Sequence, residues 1–163
     1  MTTYIGVDPG LSGAIAFLRG NEAWAEAMPV GRYSATGTVK NAVDLGGVKA
    51  LLKAQCDSLG MERPVLRLYL ERVNAFPGQG VASMFSLGMS YWGVAGVAAA
   101  LEIPVVLVTP QEWKKHFRLG SDKDQARMLA ARLFPGVNLS RKKDHGCAEA
   151  LLIALYGKQK GGE

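Results

Sequence analysis

Residues 3–18 (TYIGVDPGLSGAIAFL) place two short apolar runs on either side of a Pro-Gly turn, which is the pattern of a β-hairpin. The first run ends on an acid, Asp8. A carboxylate at the end of an almost wholly apolar strand is costly to bury unless a hydrogen bond or a cation compensates its charge. Asp8 therefore has two interpretations, a cap for the turn and a ligand for a cation, and this stretch leaves both open.

A second strand is predicted at residues 65–71 (VLRLYLE), where leucines at every second position form one face and Val65, Arg67, Tyr69 and Glu71 form the other. It also ends on an acid, Glu71. If these two strands are parallel neighbours, Asp8 and Glu71 meet at one edge of the sheet, where open α/β sheets bind their ligands. The simpler alternative is that Glu71 only reaches water at the end of its strand.

The order of the elements predicts one domain over residues 1–163, built as a mixed sheet with helices packed on it. The last part of the chain, residues 158–163, is expected to fray. Between the hairpin and the second acidic strand we expect a third strand at residues 22–28, a loop at 29–41 and a helix that begins after Asp44.

Residues 81–101 form the longest apolar segment, with 21 residues that carry no charge. This length could cross a bilayer, but three serines, several interior glycines and the lack of a second such segment favour a helix inside a globular protein. We expect that helix to be covered on all sides or to lie across a dimer interface, and we expect no membrane partner.

The chain contains two cysteines, Cys56 and Cys147, too few for a disulfide framework and without zinc-site spacing. Residues 1–4 place no basic segment before the first apolar run, so a secretory signal is not predicted. These features predict a cytoplasmic protein, and the lack of a transit peptide argues against an organelle.

The positive charge is concentrated in one part of the chain. Residues 111–143 hold nine Lys or Arg side chains against three acids, a local balance of +6 within a total of +5. A basic segment of this kind is typical of proteins that bind a polyanion such as nucleic acid. A solvated helical face is the alternative.

A third acidic element opens the predicted last helix at residues 144–150 (DHGCAEA). Glu149 lies beside the apolar stripe of that helix, so it should point toward the sheet. Acids at two strand ends and at a helix start are the oxygen ligands that Mg²⁺ prefers. Two ions about 4 Å apart can activate water and stabilise the leaving oxygen of a phosphodiester.

Three segments in this order resemble the RuvC-type Holliday-junction resolvases: residues 5–10 (IGVDPG), the strand that ends at Glu71, and residues 148–150 (AEA). Residues 76–80 (FPGQG) and 144–146 (DHG) are similar to phage-encoded and plastid members. The resemblance implies a ribonuclease H-like α/β fold, with a mixed five-stranded sheet and helices on both faces. It also implies a homodimer that nicks four-way DNA junctions symmetrically with two Mg²⁺ or Mn²⁺ ions per active site. A phage protein would act in the host cytoplasm.

The same resemblance assigns roles to individual residues. Asp8, Glu71 and Glu149 correspond to metal ligands. Lys114, within residues 110–114 (PQEWK), corresponds to a lysine near the cleaved phosphate, and Lys123 to a second functional lysine. Phe76 corresponds to an aromatic side chain near the junction centre. The residues expected to contact DNA are Phe76, Lys114, Lys115, Arg118, Lys123, Arg141, Lys142 and Lys143.

The fourth ligand is open between two neighbours. Bacterial members carry an acid or His three residues before the last acid, and here that position is Gly146. Asp144 fits the phage and plastid arrangement, but five residues of regular helix would turn it about 140° away from Glu149. Asp144 can therefore join the site only from the N-cap or before it. His145 is the rival, because residues four apart share a helix face. We favour Asp144.

Three other functions are alternatives to junction resolution. A nucleotide-binding protein of the actin and sugar-kinase superfamily needs a second domain, for which 163 residues leave no room, so no nucleotide cofactor is expected. A ribonuclease H-fold nuclease for RNA–DNA hybrids or flaps is the main alternative. A non-catalytic DNA-binding module is the third, although acids that face a phosphate repel it unless a metal intervenes.

Overall fold

The computed structural model describes residues 1–35, 38–57, 65–74 and 78–161, and gives the backbone alone of Ala35, Thr38, Val39 and Lys123. Its strands form a five-stranded sheet and a separate two-stranded sheet. The strands are β1 (Thr2–Asp8), β2 (Ala14–Arg19), β3 (Glu22–Ala27), β4 (Val30–Ala35), β5 (Thr38–Val43), β6 (Val65–Glu71) and β7 (Val105–Val108). The larger sheet has the spatial order β3-β2-β1-β6-β7.

The larger sheet is mixed, because β1 to β3 pair antiparallel while β6 runs parallel to both β1 and β7. The register aligns Val7 of β1 with Leu70 of β6. The next residue along each strand is an acid, so the two strands bring Asp8 and Glu71 to the same edge. The parallel pairing of β1 and β6, which is the condition for the two acids to meet at one edge, is therefore present.

Helices cover both faces of this sheet, which confirms the predicted fold class. The helices are α1 (Leu45–Asp57), α2 (Val81–Ala100), α3 (Pro110–His116), α4 (Lys123–Leu133) and α5 (His145–Lys160). The alternation in β6 sets the two faces: Leu68 packs among residues of α1 and α2, whereas Tyr69 packs among residues of α4 and α5.

The last helix, α5, lies directly on the centre of the sheet. A side chain at Gly6 of β1 would collide with the backbone of Ala150, so glycine is required for this close approach. Leu151, Leu152 and Ile153 are fully buried, and each contributes about 1.5–3 kcal/mol through its removal from water. This packing fixes the position of Glu149 in the preceding turn.

The structure differs from the sequence-based expectation in one connecting segment and at the end of the last helix. The loop predicted at residues 29–41 instead contains β4 and β5, which pair antiparallel from Val30 opposite Val43 to Ala35 opposite Thr38. Two β-prone runs separated by two residues that include a glycine are a hairpin signal, and the prediction missed it. The sequence also predicts fraying from residue 158, but α5 continues to Lys160 and Lys158 Nζ donates to the carbonyl of Gly20 at 2.9 Å. Residues 162 and 163 of this predicted tail lie outside the described residues.

The third difference concerns α2, which is not covered on all sides. One face packs in the core through Tyr91 and Val94. The opposite face exposes large apolar side chains, with Phe85 70% exposed and Trp92 67% exposed. Gly93 faces α1, since a Cβ there would meet Leu45 Cδ2 at 2.8 Å. The two sides of this uniformly apolar helix therefore lie in different environments, which its composition alone does not distinguish.

Candidate active site

The position of Asp8, the last residue of β1, is set by the tight turn between β1 and β2. Its Oδ1 accepts a hydrogen bond from the backbone N–H of Gly10 at 3.2 Å, so the turn-capping interpretation holds. Gly13 closes the turn against Asp8, and a Cβ at Gly13 would collide with the Asp8 backbone. The side chain is half-buried. Capping one oxygen in this way orients the carboxylate without excluding a further ligand.

Glu71 has an unusually basic carboxylate. Burial is the largest cause and the charge of Asp8 the next, and together with Glu149 they raise the pKa of Glu71 to about 7. Two contacts oppose this rise. The indole Nε1 of Trp113 donates to Glu71 Oε1 at 2.9 Å, and the positive charge of Lys114 also favours the ionised form. Repulsion between neighbouring acids is therefore a property of this edge of the sheet.

Glu149 is buried on α5, and its Oε1 lies 3.8 Å from Nζ of Lys114. The same ammonium lies 5.2 Å from the centre of the Trp113 ring. The sequence assigned Lys114 to a phosphate, and here its charge compensates a buried carboxylate. The charges of Asp8, Glu71, Glu149 and Lys114 thus act on one another within one region.

Asp144 stands at the N-cap of α5, the position from which it could reach the site. Its carboxylate is instead engaged by Arg141, whose guanidinium Nη2 lies 2.8 Å from Oδ1 and whose backbone N–H donates to Oδ2 at 2.8 Å. Hydrogen bonds from Arg141 hold the pKa of Asp144 below its ordinary value. Burial, then the charges of Asp144 and Glu26, and more weakly that of Asp8, raise the pKa of the Cys147 thiol.

His145, the rival ligand, is half-buried, and its Nδ1 lies 3.1 Å from the carbonyl of Lys142. The neighbouring Gly146 packs against the turn that follows Asp8. A Cβ at this position would collide with the Ser12 carbonyl and lie 2.9 Å from Gly13 Cα. An acid or His at Gly146, as in the bacterial resolvases, therefore does not fit this backbone.

The predicted metal ligands do not form a ready coordination shell. Within the described ranges, no group of three or more His, Cys, Asp or Glu side chains stands close enough together to hold a metal ion. Their oxygens have protein partners instead: Gly10 at Asp8, Trp113 at Glu71 and Arg141 at Asp144. The donor set still fits a hard cation, because a divalent ion would relieve the repulsion that raises the pKa of Glu71.

The remaining predicted DNA contacts are mostly on the surface. Lys115, Arg118, Arg141, Lys142 and Lys143 are exposed. Arg118 has a positive φ of 55°, so the chain turns sharply just after α3. Phe76 and the side chain of Lys123 lie outside the described residues.

Trp113 is the site residue that sequence reasoning missed. It lies within residues 110–114 (PQEWK), where the sequence assigns a role to Lys114 alone. Two facts could have indicated its role. Trp113 directly precedes Lys114, and a tryptophan that is buried needs an acceptor for its indole N–H. The structure supplies Glu71 as that acceptor.

Comparison with known proteins gives one sequence relative and a consistent fold. No family model matches the chain. It is 31% identical over 136 residues to the chloroplastic Holliday junction resolvase MOC1 of Chlamydomonas reinhardtii. Among solved structures, it superposes on T. thermophilus RuvC in complex with a Holliday junction substrate with a TM-score of 0.59, at 13% identity, over 99% of this chain and 97% of that one. A second Thermus thermophilus RuvC structure gives 0.56 at 17% identity, over 98% and 96% of the two chains.

The sequence match takes in 77% of this chain but 15% of the length of MOC1. The relative is a chloroplast protein, and this contradicts the cytoplasmic location expected from the sequence. That expectation relied on the lack of a transit peptide at residue 1, which carries no information in a chain that spans so little of its relative. The two superpositions show that the chain has the fold of RuvC, which is a ribonuclease H-like fold, and its sequence is similar to that of a Holliday junction resolvase.

Proposed function

We propose that this chain is a metal-dependent endonuclease that resolves four-way DNA junctions by paired symmetric nicks. The observation that carries the proposal is the placement of Asp8, Glu71 and Glu149 at one edge of a RuvC-type sheet, where burial of Glu71, then the charge of Asp8 and more weakly that of Glu149, raise the pKa of Glu71 to about 7. A cluster of mutually repelling buried acids is unfavourable for a protein that only binds DNA. It is favourable for one that binds cations between the acids and a phosphate.

Asp8, Glu71 and Glu149 are the residues that would hold Mg²⁺ or Mn²⁺, with Asp144 as the fourth ligand. The chemistry that two such ions supply is activation of water and stabilisation of the leaving oxygen. Asp144 takes part when Arg141 releases its carboxylate, and the exposed Arg141 guanidinium then becomes available to a phosphate. Lys114 leaves Glu149 for the scissile phosphate in the same way. The chain thereby exchanges internal ion pairs for contacts with metal and DNA.

DNA binding is assigned to the basic surface that flanks these acids, formed by Lys114, Lys115, Arg118, Lys123 and residues 141–143. The exposed lysines and arginines of this surface remain hydrated in the free protein, so the fold does not have to compensate for burying their charges. Because neutralised phosphates release their counterions, binding through this surface should weaken steeply with salt. The four-way junction is the substrate class we assign, by analogy with the proteins to which this chain is similar.

The exposed face of α2 is assigned to a homodimer. A junction has two-fold symmetry and needs two active sites to receive paired nicks. Phe85, Met89 and Trp92 form an apolar stripe on this face, and a patch of this kind is typical of an interaction site. A Cβ at Gly88 or Gly96 would meet nothing within 4 Å, so a second helix can approach closely at both glycines.

A membrane is the other environment that α2 could suit. Among the residues that the structure describes, α2 is the one helix that is long and apolar enough to cross a bilayer. One such helix is weak evidence. Because Tyr91 and Val94 of the same helix pack in the protein core, we assign the exposed face to a second copy of this chain.

The test uses the purified protein, Mg²⁺ and three labelled substrates: a four-way junction, a linear duplex and an RNA–DNA hybrid. We expect paired nicks at symmetric positions of the junction alone. Cleavage of the hybrid in preference to the junction would favour the ribonuclease H-fold alternative. Tight junction binding without cleavage in Mg²⁺ or Mn²⁺ would favour a non-catalytic DNA-binding module.

A further inference from the structure

We infer that Trp113 is a positioning residue that orients both Glu71 and Lys114 in the carboxylate site. The inference rests on the proposed metal-binding role of these acids. It concerns a residue that contacts neither metal nor DNA and acts only through its two neighbours.

The first contact is a hydrogen bond in a buried setting. Trp113 is 0% exposed, and its Nε1 donates to Glu71 Oε1 at 2.9 Å. An indole nitrogen can only donate, and a buried donor without an acceptor is unfavourable. The bond therefore fixes the orientation of the Glu71 carboxylate about its last torsion. It engages Oε1 and leaves Oε2 as the oxygen for a cation.

The second contact is made by the face of the same indole ring. Lys114 Nζ lies 5.2 Å from the ring centre and 3.8 Å from Glu149 Oε1. A cation over an indole face is attracted by the ring quadrupole, and the attraction is larger where water is excluded. The ring thus holds the ammonium beside Glu149, where its charge also acts on Glu71.

The helix that carries Trp113 is itself firmly anchored. Thr109 caps α3, and its side chain and backbone N–H both donate to Glu112 Oε2 at 2.7 Å. Pro110 occupies the first turn, where its fixed φ favours the helix. An anchored start to a seven-residue helix leaves Trp113 little freedom to shift. One indole therefore links the carboxylate at the end of β6 to the carboxylate on α5.

The experiment removes the indole N–H without changing the shape of the ring. Benzothienylalanine at position 113 replaces the N–H by sulfur, and Trp113→Phe removes the donor by ordinary mutagenesis. Trp24→Phe is the matched control, because Trp24 stacks on Phe17 at 5.2 Å and lies away from the acids. Mg²⁺ and Mn²⁺ affinity is measured by calorimetry on the DNA-free protein, with thermal unfolding as the check on folding.

We expect both changes at position 113 to weaken metal affinity by about 10- to 100-fold, with benzothienylalanine leaving the unfolding temperature near that of the wild type. Trp24→Phe should leave metal affinity unchanged. Unaltered affinity in the well-folded benzothienylalanine protein would overturn the positioning role.

A spectroscopic readout separates this inference from the proposed function. The chain has three tryptophans, so its indole N–H groups can be assigned in a ¹H–¹⁵N spectrum by substitution. Mg²⁺ should shift the Trp113 indole signal and not that of Trp24, and Glu71→Gln should abolish the shift. A protein that gives this shift but never cuts a junction retains the positioning role and loses the proposed function. No shift at Trp113 would reject the positioning role itself.

Discussion

Lys114 Nζ lies 3.8 Å from Oε1 of the buried Glu149, so the free protein already places a positive charge within its carboxylate site. Because Lys114 also lowers the pKa of Glu71, one ammonium reduces the repulsion among acids that come from three distant parts of the chain. This arrangement explains how the fold tolerates these carboxylates without a bound cation. It also predicts that Lys114 affects more than the strength of DNA binding.

Lys114→Ala should lower the single-turnover cleavage rate on a pre-bound junction by about ten-fold or more, as expected when a group that stabilises transition-state charge is lost. Arg132→Ala is the control, since Arg132 is an exposed side chain of α4. It should change binding modestly and leave the rate unchanged. Equal effects of the two substitutions on rate and binding would reduce Lys114 to general electrostatic attraction.

Glu71→Gln should stabilise the metal-free protein at pH 8 and have little effect at pH 5. The pKa of Glu71 is raised to about 7, so the folded protein holds this proton more tightly than the unfolded chain does. The associated stability is fully present below the ordinary pKa of about 4.5 and is lost as the pH rises through about 7. The loss amounts to at most about 3.5 kcal/mol, at about 1.4 kcal/mol per pKa unit.

Thermal unfolding in EDTA at both pH values measures this effect, with the exposed Glu22→Gln as the control. The gain for Glu71→Gln at pH 8 should correspond to several degrees. A gain of equal size at pH 5 would show that the carboxylate charge is not its cause. The same variant should have lost its cleavage activity at either pH, because it lacks a proposed metal ligand.

Asp144→Asn should largely abolish cleavage and leave junction binding intact or tighter, since the lost charge repelled phosphate. His145→Ala should reduce the rate far less. Asp144 occupies the N-cap of α5, from which its carboxylate can reach the site once Arg141 releases it, while His145 Nδ1 lies 3.1 Å from the carbonyl of Lys142. Single-turnover rates on a pre-bound junction, with Mg²⁺ titrated, measure both. A near-normal Asp144→Asn rate beside an inactive His145→Ala would exchange their roles.

Gly146→Ala should destabilise the protein by about 1–3 kcal/mol, the usual cost of overpacking. The new methyl group would collide with the Ser12 carbonyl and approach Gly13 Cα at 2.9 Å, which displaces the turn that holds Asp8. Gly136→Ala is the control, because a Cβ there meets nothing within 4 Å. Urea unfolding of both variants provides the comparison. Similar stabilities would mean that the α5 start can move away from the turn.

Trp92→Glu should convert the proposed dimer into a monomer and uncouple the paired nicks, because Trp92 is 67% exposed and belongs to the apolar stripe on the exposed face of α2. Met128→Glu is the control, since Met128 is an exposed apolar side chain on α4. Sedimentation at micromolar concentration and the timing of the two nicks are the readouts. A wild-type monomer that still makes paired nicks would contradict the dimer proposal.

The sequence was sufficient for the features that depend on local pattern. The alternation in residues 65–71 determined the bounds and faces of β6, which runs from Val65 to Glu71. Acids at the ends of two apolar strands were informative because a charge in that position needs compensation wherever the strand lies. The two residues between β4 and β5 carry the same kind of local signal, a hairpin turn, although a loop was predicted there.

Tertiary structure decided which partner each of those acids acquired. No spacing in the sequence pairs Glu71 with Trp113, 42 positions away, or determines that Lys114 compensates Glu149. The two environments of α2 likewise depend on which side meets the sheet, because its composition is apolar on both. A hydrogen bond or a buried face is a relation between distant segments. The sequence predicted that these acids need partners, and the packing of α3 and α5 against the sheet selected them.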